Sequence, residues 1–140
     1  MIGAELIERE ITIAASPETV FALLTDPEQI VRWKGKRAAL DARPHGRYEV
    51  DLGEGQNVRG EYVEVVPFRR VVFTWGWEGS TVLPPGSSTV EIDLEPHGAG
   101  TRLRLVHRGL PASERASHLE GWDYFLPRLH AVAEGRPPIG

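Results

Sequence analysis

The sequence predicts an α+β fold: a curved antiparallel sheet of about six strands wraps one long C-terminal helix, with two short helices after the first strand and an apolar cavity between sheet and helix. Three observations carry this. Residues 46–108 hold short runs of alternating apolar and charged side chains separated by turn residues, the pattern of antiparallel hairpins. Residues 112–133 repeat apolar residues at three- and four-residue steps, the pattern of one amphipathic helix. Ser16-Pro17 and Asp26-Pro27 each pair a capping side chain with a proline suited to a first helical turn.

The first strand is read from Leu6 to Ala14, where Ile7, Ile11 and Ile13 share one face and Arg9 interrupts it. Ser16 opens a helix whose apolar face is Val20, Leu23 and Leu24. Asp26 opens a second, short helix running to about Trp33. Arg32, Lys34, Lys36 and Arg37 then form the densest basic run. It reads as a solvated helix end with cations near the C-terminal dipole, the alternative being an anion site.

Tyr48, Val50 and Leu52 alternate with charged residues, and Gly53-Glu54-Gly55 makes the turn. Val58–Val66 follows, with Gly60 expected at a bulge or close backbone approach. Val71, Phe73, Trp75 and Trp77 share a face of the next strand. After a loop over 79–88 come Val90, Ile92 and Leu94, a turn at 96–100, then Leu103, Leu105 and His107. In the final helix, Pro127 predicts a kink, because it offers no N–H to the Asp123 carbonyl. Gly135 is a fitting stop.

The chain of 140 residues fits one domain, read as 1–140, with 41% hydrophobic and 26% charged residues. A net charge of −4 lacks the basic footprint of a nucleic-acid binder. Cysteine is absent, so disulfide and thiolate chemistry are excluded. No secretory signal or membrane-length apolar run is visible, and a cytoplasmic location is expected.

All four tryptophans fall among residues expected to face inward: Trp33, Trp75, Trp77 and Trp122, joined by Tyr48, Phe73, Phe125 and Leu126. Packed core is one reading of this set. A semi-polar pocket is the other, because buried indole N–H and phenol groups need partners. His107 shares the inward parity and is the expected polar handle, either structural or acid/base. No carboxylate is identifiable as its partner. His45 and His97 fall in turns, and His118 and His130 are too far apart on the helix to chelate, so no metal is expected. No catalytic motif is present and no cofactor is expected.

The pieces Pro17-Glu18-Thr19-Val20-Phe21, Leu24-Thr25-Asp26-Pro27 with Ile30 and Trp33, Pro67 with Val71 to Trp75, Gly100-Thr101-Arg102-Leu103 to Leu110, and Gly121-Trp122 with Leu126 and Leu129 occur in a distinctive order. Together they resemble the activator of heat-shock-protein-90 ATPase homologue family, a branch of the SRPBCC helix-grip superfamily. His45-Gly46 stands where many relatives have a glycine pair. The resemblance implies a helix-grip fold and a pocket for a small hydrophobic or aromatic ligand. It leaves a cavity-based enzyme of cyclase or hydrolase type, or a co-chaperone-like module in the stress response, as alternatives. A chaperone or another protein is the implied partner class, and a homodimer stays open.

Overall fold

A computed structural model describes residues 6–138. The elements are β1 (Ile7–Ile13), α1 (Pro17–Thr25), α2 (Pro27–Ile30), β2 (Arg37–Leu40), β3 (Arg47–Asp51), β4 (Asn57–Val66), β5 (Arg70–Trp75), β6 (Ser88–His97), β7 (Gly100–Arg108) and α3 (Ala112–Ala133). The sheet has seven strands in the order β1-β7-β6-β5-β4-β3-β2, and every described pairing is antiparallel. The sheet thus exceeds the expected count by one strand. Arg37-Ala38-Ala39-Leu40 has too little apolar alternation to announce itself, and pairing with β3 makes it a strand.

Local chemistry sets the entry to the fold. Ser16 Oγ accepts from the Thr19 N–H at 3.2 Å, and Asp26 Oδ1 accepts from the Glu28 N–H at 2.8 Å. The last carbonyls of α1 would otherwise be left open. Two core aromatics supply donors to them: Trp33 Nε1–H to Leu23 O at 2.8 Å and Tyr62 Oη–H to Leu24 O at 3.3 Å. α2 ends at Ile30, short of the expected Trp33. Even so, Lys34 N–H still donates to Ile30 O at 2.9 Å, a helical turn that carries Trp33 and Lys34 inward.

Gly35, at φ +84°, then reverses the chain into β2. Gly60 on β4 is a close approach: a Cβ there would overlap the Thr74 carbonyl oxygen of β5. The register shift of this pair falls instead between Tyr62 and Glu64. β6 extends through His97, so its hairpin turn is shorter than the expected 96–100 stretch.

α3 lies across the inner face. It buries His118, Trp122, Leu126, Leu129, Ala131 and Val132, while Pro127 is on its exposed side. Gly135 ends it at φ +83°, with Gly135 N–H donating to Val132 O and Arg136 N–H to Ala131 O. Arg9 fixes the helix to β1 through two bonds to the Asp123 carboxylate, 2.7 and 3.1 Å. Arg128 Nε donates to Trp33 O at 3.0 Å, tying α3 to the turn after α2. The outer sheet face carries cross-strand ion pairs, among them Arg70 with Asp93 and Arg108 with Glu91.

Candidate functional site

Helical spacing on α3 brings His118, Gly121, Trp122 and Phe125 onto one stripe, at i, i+3, i+4 and i+7. The end of β5 and the residues after it supply Trp75 and Trp77 opposite. Between them lies a pocket of about 260 Å³, whose mouth is completed by Leu52 and Gln56 from the β3–β4 turn. A wider groove beside β2 is more open and lined with charged side chains such as Asp41, Arg43, Arg47 and Glu61. Only the first has the enclosed aromatic character of a small-molecule site.

Of the residues expected around a cavity, Trp75, Trp77, Trp122 and Phe125 line this pocket. Trp33, Tyr48, Phe73 and Leu126 are buried in the core beside it. Tyr48 stacks on Phe73 with ring centroids 3.9 Å apart and planes 13° from parallel.

What occupies the centre of the aromatic set is Lys34. It is 1% exposed, where a solvated helix end was expected. Its Nζ lies 4.2 Å from the Trp75 ring centroid, 4.4 Å from Trp122, 5.6 Å from Trp33 and 5.8 Å from Tyr48. Its hydrogen-bond partner is Tyr48 Oη at 3.3 Å. Burial alone pushes the Lys34 amine well below the ordinary lysine range. Burial likewise raises the Tyr48 phenol well above its ordinary value. The signal for Lys34 was in the spacing: it stands four residues after Ile30, on the same helical face.

His107 sits on β7 directly behind Trp122. Trp122 Nε1–H donates to His107 Nδ1 at 3.1 Å, and His107 Nε2 meets Ser88 Oγ at 2.9 Å. Ser88 Oγ–H is used on Trp75 O at 2.8 Å, so Ser88 accepts from His107. An indole N–H can only donate. Both constraints give the neutral tautomer with its proton on Nε2. Burial, then the proximity of His118 and Lys34, pushes its pKa down to about 3. With both nitrogens engaged, His107 is a structural relay between sheet and helix.

His118 is the polar pocket residue that the sequence reading passed over. Its Nδ1 lies 2.8 Å from the Glu114 carbonyl, which can only accept, so Nδ1 carries the proton. Burial also lowers its pKa, with opposition from the Glu114 backbone bond. Nε2 is therefore a bare acceptor. Among the described residues it is buried without a partner, and so is the donor Trp75 Nε1–H. The two rings are neighbours, with centroids 6.1 Å apart. Among the described residues, no cluster of side chains is suited to hold a metal ion.

Residues 14–134 match the profile of the family described as activator of Hsp90 ATPase homolog 1-like protein. The human activator of 90 kDa heat shock protein ATPase homolog 1 is 27% identical over 115 residues, which cover 81% of this chain and 32% of that protein. The chain thus spans about a third of the length of the curated relatives it matches. Among solved structures, an AHSA1-like protein from Rhizobium etli is 49% identical, with a TM-score of 0.77, over 96% of this chain and 85% of that one. DynU16, from the dynemicin biosynthetic locus, is 26% identical with a TM-score of 0.81, over 95% of this chain and 49% of that one. Sheet order, gripped helix and sequence profile agree, and the chain belongs to the activator of Hsp90 ATPase homolog 1-like family.

Proposed function

We propose that the pocket between β5 and α3 binds a small apolar or aromatic molecule bearing one hydroxyl group. The observation that carries this is that two of its lining residues hold buried polar atoms without a partner among the described residues, Trp75 Nε1–H and His118 Nε2. Leaving such groups unpaired costs about 1–3 kcal/mol each. A hydroxyl both accepts and donates, so it is the group that matches one free donor and one free acceptor. Trp77, Trp122 and Phe125 supply the apolar contact. The volume of about 260 Å³ suits a single ring or a short chain.

Tryptophan fluorescence and thermal melting with phenols, benzyl alcohol and medium-chain alcohols test this. The alcohols should quench emission and raise Tm. Their methyl ethers, which cannot donate to His118, should bind about tenfold more weakly. A panel in which no compound moves either signal would sink the reading.

A protein-interaction role is the second reading, favoured by the family match over residues 14–134. In that case the partner is a chaperone of the heat-shock-protein-90 class, met in the cytoplasm. Tagged full-length chain should then retain the cell's own chaperone of that class in a pull-down. An empty eluate at physiological salt would rule it out.

A further inference from the structure

We propose that Lys34 is an amine nucleophile that captures small apolar or aromatic aldehydes as an imine, reached from the pocket past the indole of Trp75. Four features converge on it. The side chain is 1% exposed and enclosed by Trp33, Tyr48, Trp75 and Trp122. Among the described residues its Nζ has one hydrogen-bond partner, a phenol, and burial acts on it without an opposing carboxylate. The titratable groups facing it are Tyr48 on β3, His107 on β7 and His118 on α3, and none is an acid that would hold an ammonium.

Residue choice adds to this. The chain uses lysine only at Lys34 and Lys36, with arginine at every other basic position in the total of 16. The fully buried member is thus the type that can shed its proton, which arginine does not do. At pH 7 an ordinary lysine is neutral in roughly one molecule in 2,500. Burial raises that fraction and with it nucleophilicity, working against the cation–π attraction of the Trp75 and Trp122 faces, which favours the ammonium.

One wall of the cage is held by packing and not by a hydrogen bond. Trp33 is pinned by its bond to Leu23 O, and Trp122 by its bond to His107 Nδ1. Among the described residues the Trp75 indole N–H has no partner, so a turn of its ring would break no hydrogen bond. Trp75 and Trp122 belong both to the cage and to the pocket wall, so one layer of indole separates Nζ from the pocket.

The chemistry closes without an oxidant or reductant. The Nζ lone pair forms a C–N bond to the carbonyl carbon, and the C=O π pair moves to oxygen. That oxygen takes a proton from Tyr48 Oη, and one amine proton passes back to Tyr48, giving a neutral carbinolamine. Its hydroxyl then leaves with a second proton from Tyr48, as water. The nitrogen lone pair forms C=N, and the last N–H proton restores the phenol. Aldehyde and amine become imine and water.

The proposal rests on the pocket reading for the route of entry, and its test separates the two. Full-length protein is incubated near pH 7 with benzaldehyde and cyanoborohydride, then digested and mapped by mass spectrometry. Lys36, exposed and two residues away, is the internal control. The reduced benzyl group should appear on Lys34 at least about tenfold faster than on Lys36. Tyr48→Phe should slow the Lys34 reaction about tenfold, the usual scale for losing a proton-transfer partner being at least that. Benzyl alcohol should quench fluorescence equally in both proteins. Label confined to Lys36 and the amino terminus, while benzyl alcohol still quenches, overturns the imine and leaves the pocket standing. If neither compound acts, both readings fall. The mapping needs only the wild-type chain, so it decides the matter even if Tyr48→Phe does not fold.

Discussion

Replacing Lys34 with methionine should stabilise the protein by about 1–4 kcal/mol near pH 7, a rise in Tm of roughly 3–15 °C. The substitution keeps an unbranched apolar stem of similar length among Trp33, Trp75 and Trp122, and removes an amine that burial disfavours as a cation. The lost bond to Tyr48 Oη, 3.3 Å long, and the lost cation–π contacts with Trp75 and Trp122 set the gain toward the lower end of that range. Lys34→Arg should act in the opposite direction, by about 3–5 kcal/mol, because a guanidinium stays charged and must be buried as a cation. The pH dependence identifies the cause. Lys34 has a depressed folded-state pKa, so below the ordinary value of 10.5 the unfolded chain holds the extra proton. Wild-type stability therefore rises with pH across that window. The advantage of Lys34→Met should shrink between about pH 7 and 9.5, a range below tyrosine ionisation. Urea titrations of both proteins at several pH values measure this. A constant difference, or a destabilised methionine variant, would remove burial of the amine as the explanation. A position where an apolar residue packs better than the native one fits a group held for its chemistry.

Much of this architecture was legible in the sequence because periodicity reports burial directly. The stripe Trp122, Leu126, Leu129 and Ala133 outlined α3, and the inward parity of Val90, Ile92 and Leu94 outlined β6. β2 was not legible, since four residues without alternation become a strand only through their partner on β3. The pocket wall was half legible: Trp75, Trp77, Trp122 and Phe125 followed from parity and helical spacing. Lys34 and His118 were missed for a shared reason. Each occupies an apolar-face position by spacing, four residues after Ile30 and four before Trp122, but the basic run points Lys34 to solvent and His118 is weighed only as a metal ligand with His130. At both places tertiary enclosure overrides the average preference of the residue type for water. Polar residues that break an apolar stripe are the positions where helical spacing and residue type disagree, and spacing decides where they sit.

Acid should unfold the protein through His107. Its folded-state pKa lies at about 3 against an ordinary 6.5. Between those values the unfolded chain binds a proton that the folded chain refuses, so stability falls as pH drops through that interval. The full interval corresponds to about 5 kcal/mol, an amount comparable to the total stability of a domain this size. The physical cause is specific. Nδ1 has to stay bare to accept from Trp122, and a protonated ring would set two N–H groups against each other across 3.1 Å. His118 is shifted in the same direction by burial and adds to the loss. His107→Gln isolates the effect, since its amide oxygen can accept from Trp122 and its NH₂ can donate to Ser88 without titrating. At pH 7 the variant should be weaker by about 1–2 kcal/mol, reflecting poorer hydrogen-bond geometry. As pH falls toward 4 the wild type should lose stability faster, and the two curves should cross. Glu91, Asp123 and Glu134, whose carboxyls are held below their ordinary range, titrate in both proteins and cancel in the difference. Parallel stability curves from pH 7 to 4 would show that the Trp122–His107–Ser88 relay does not govern acid unfolding.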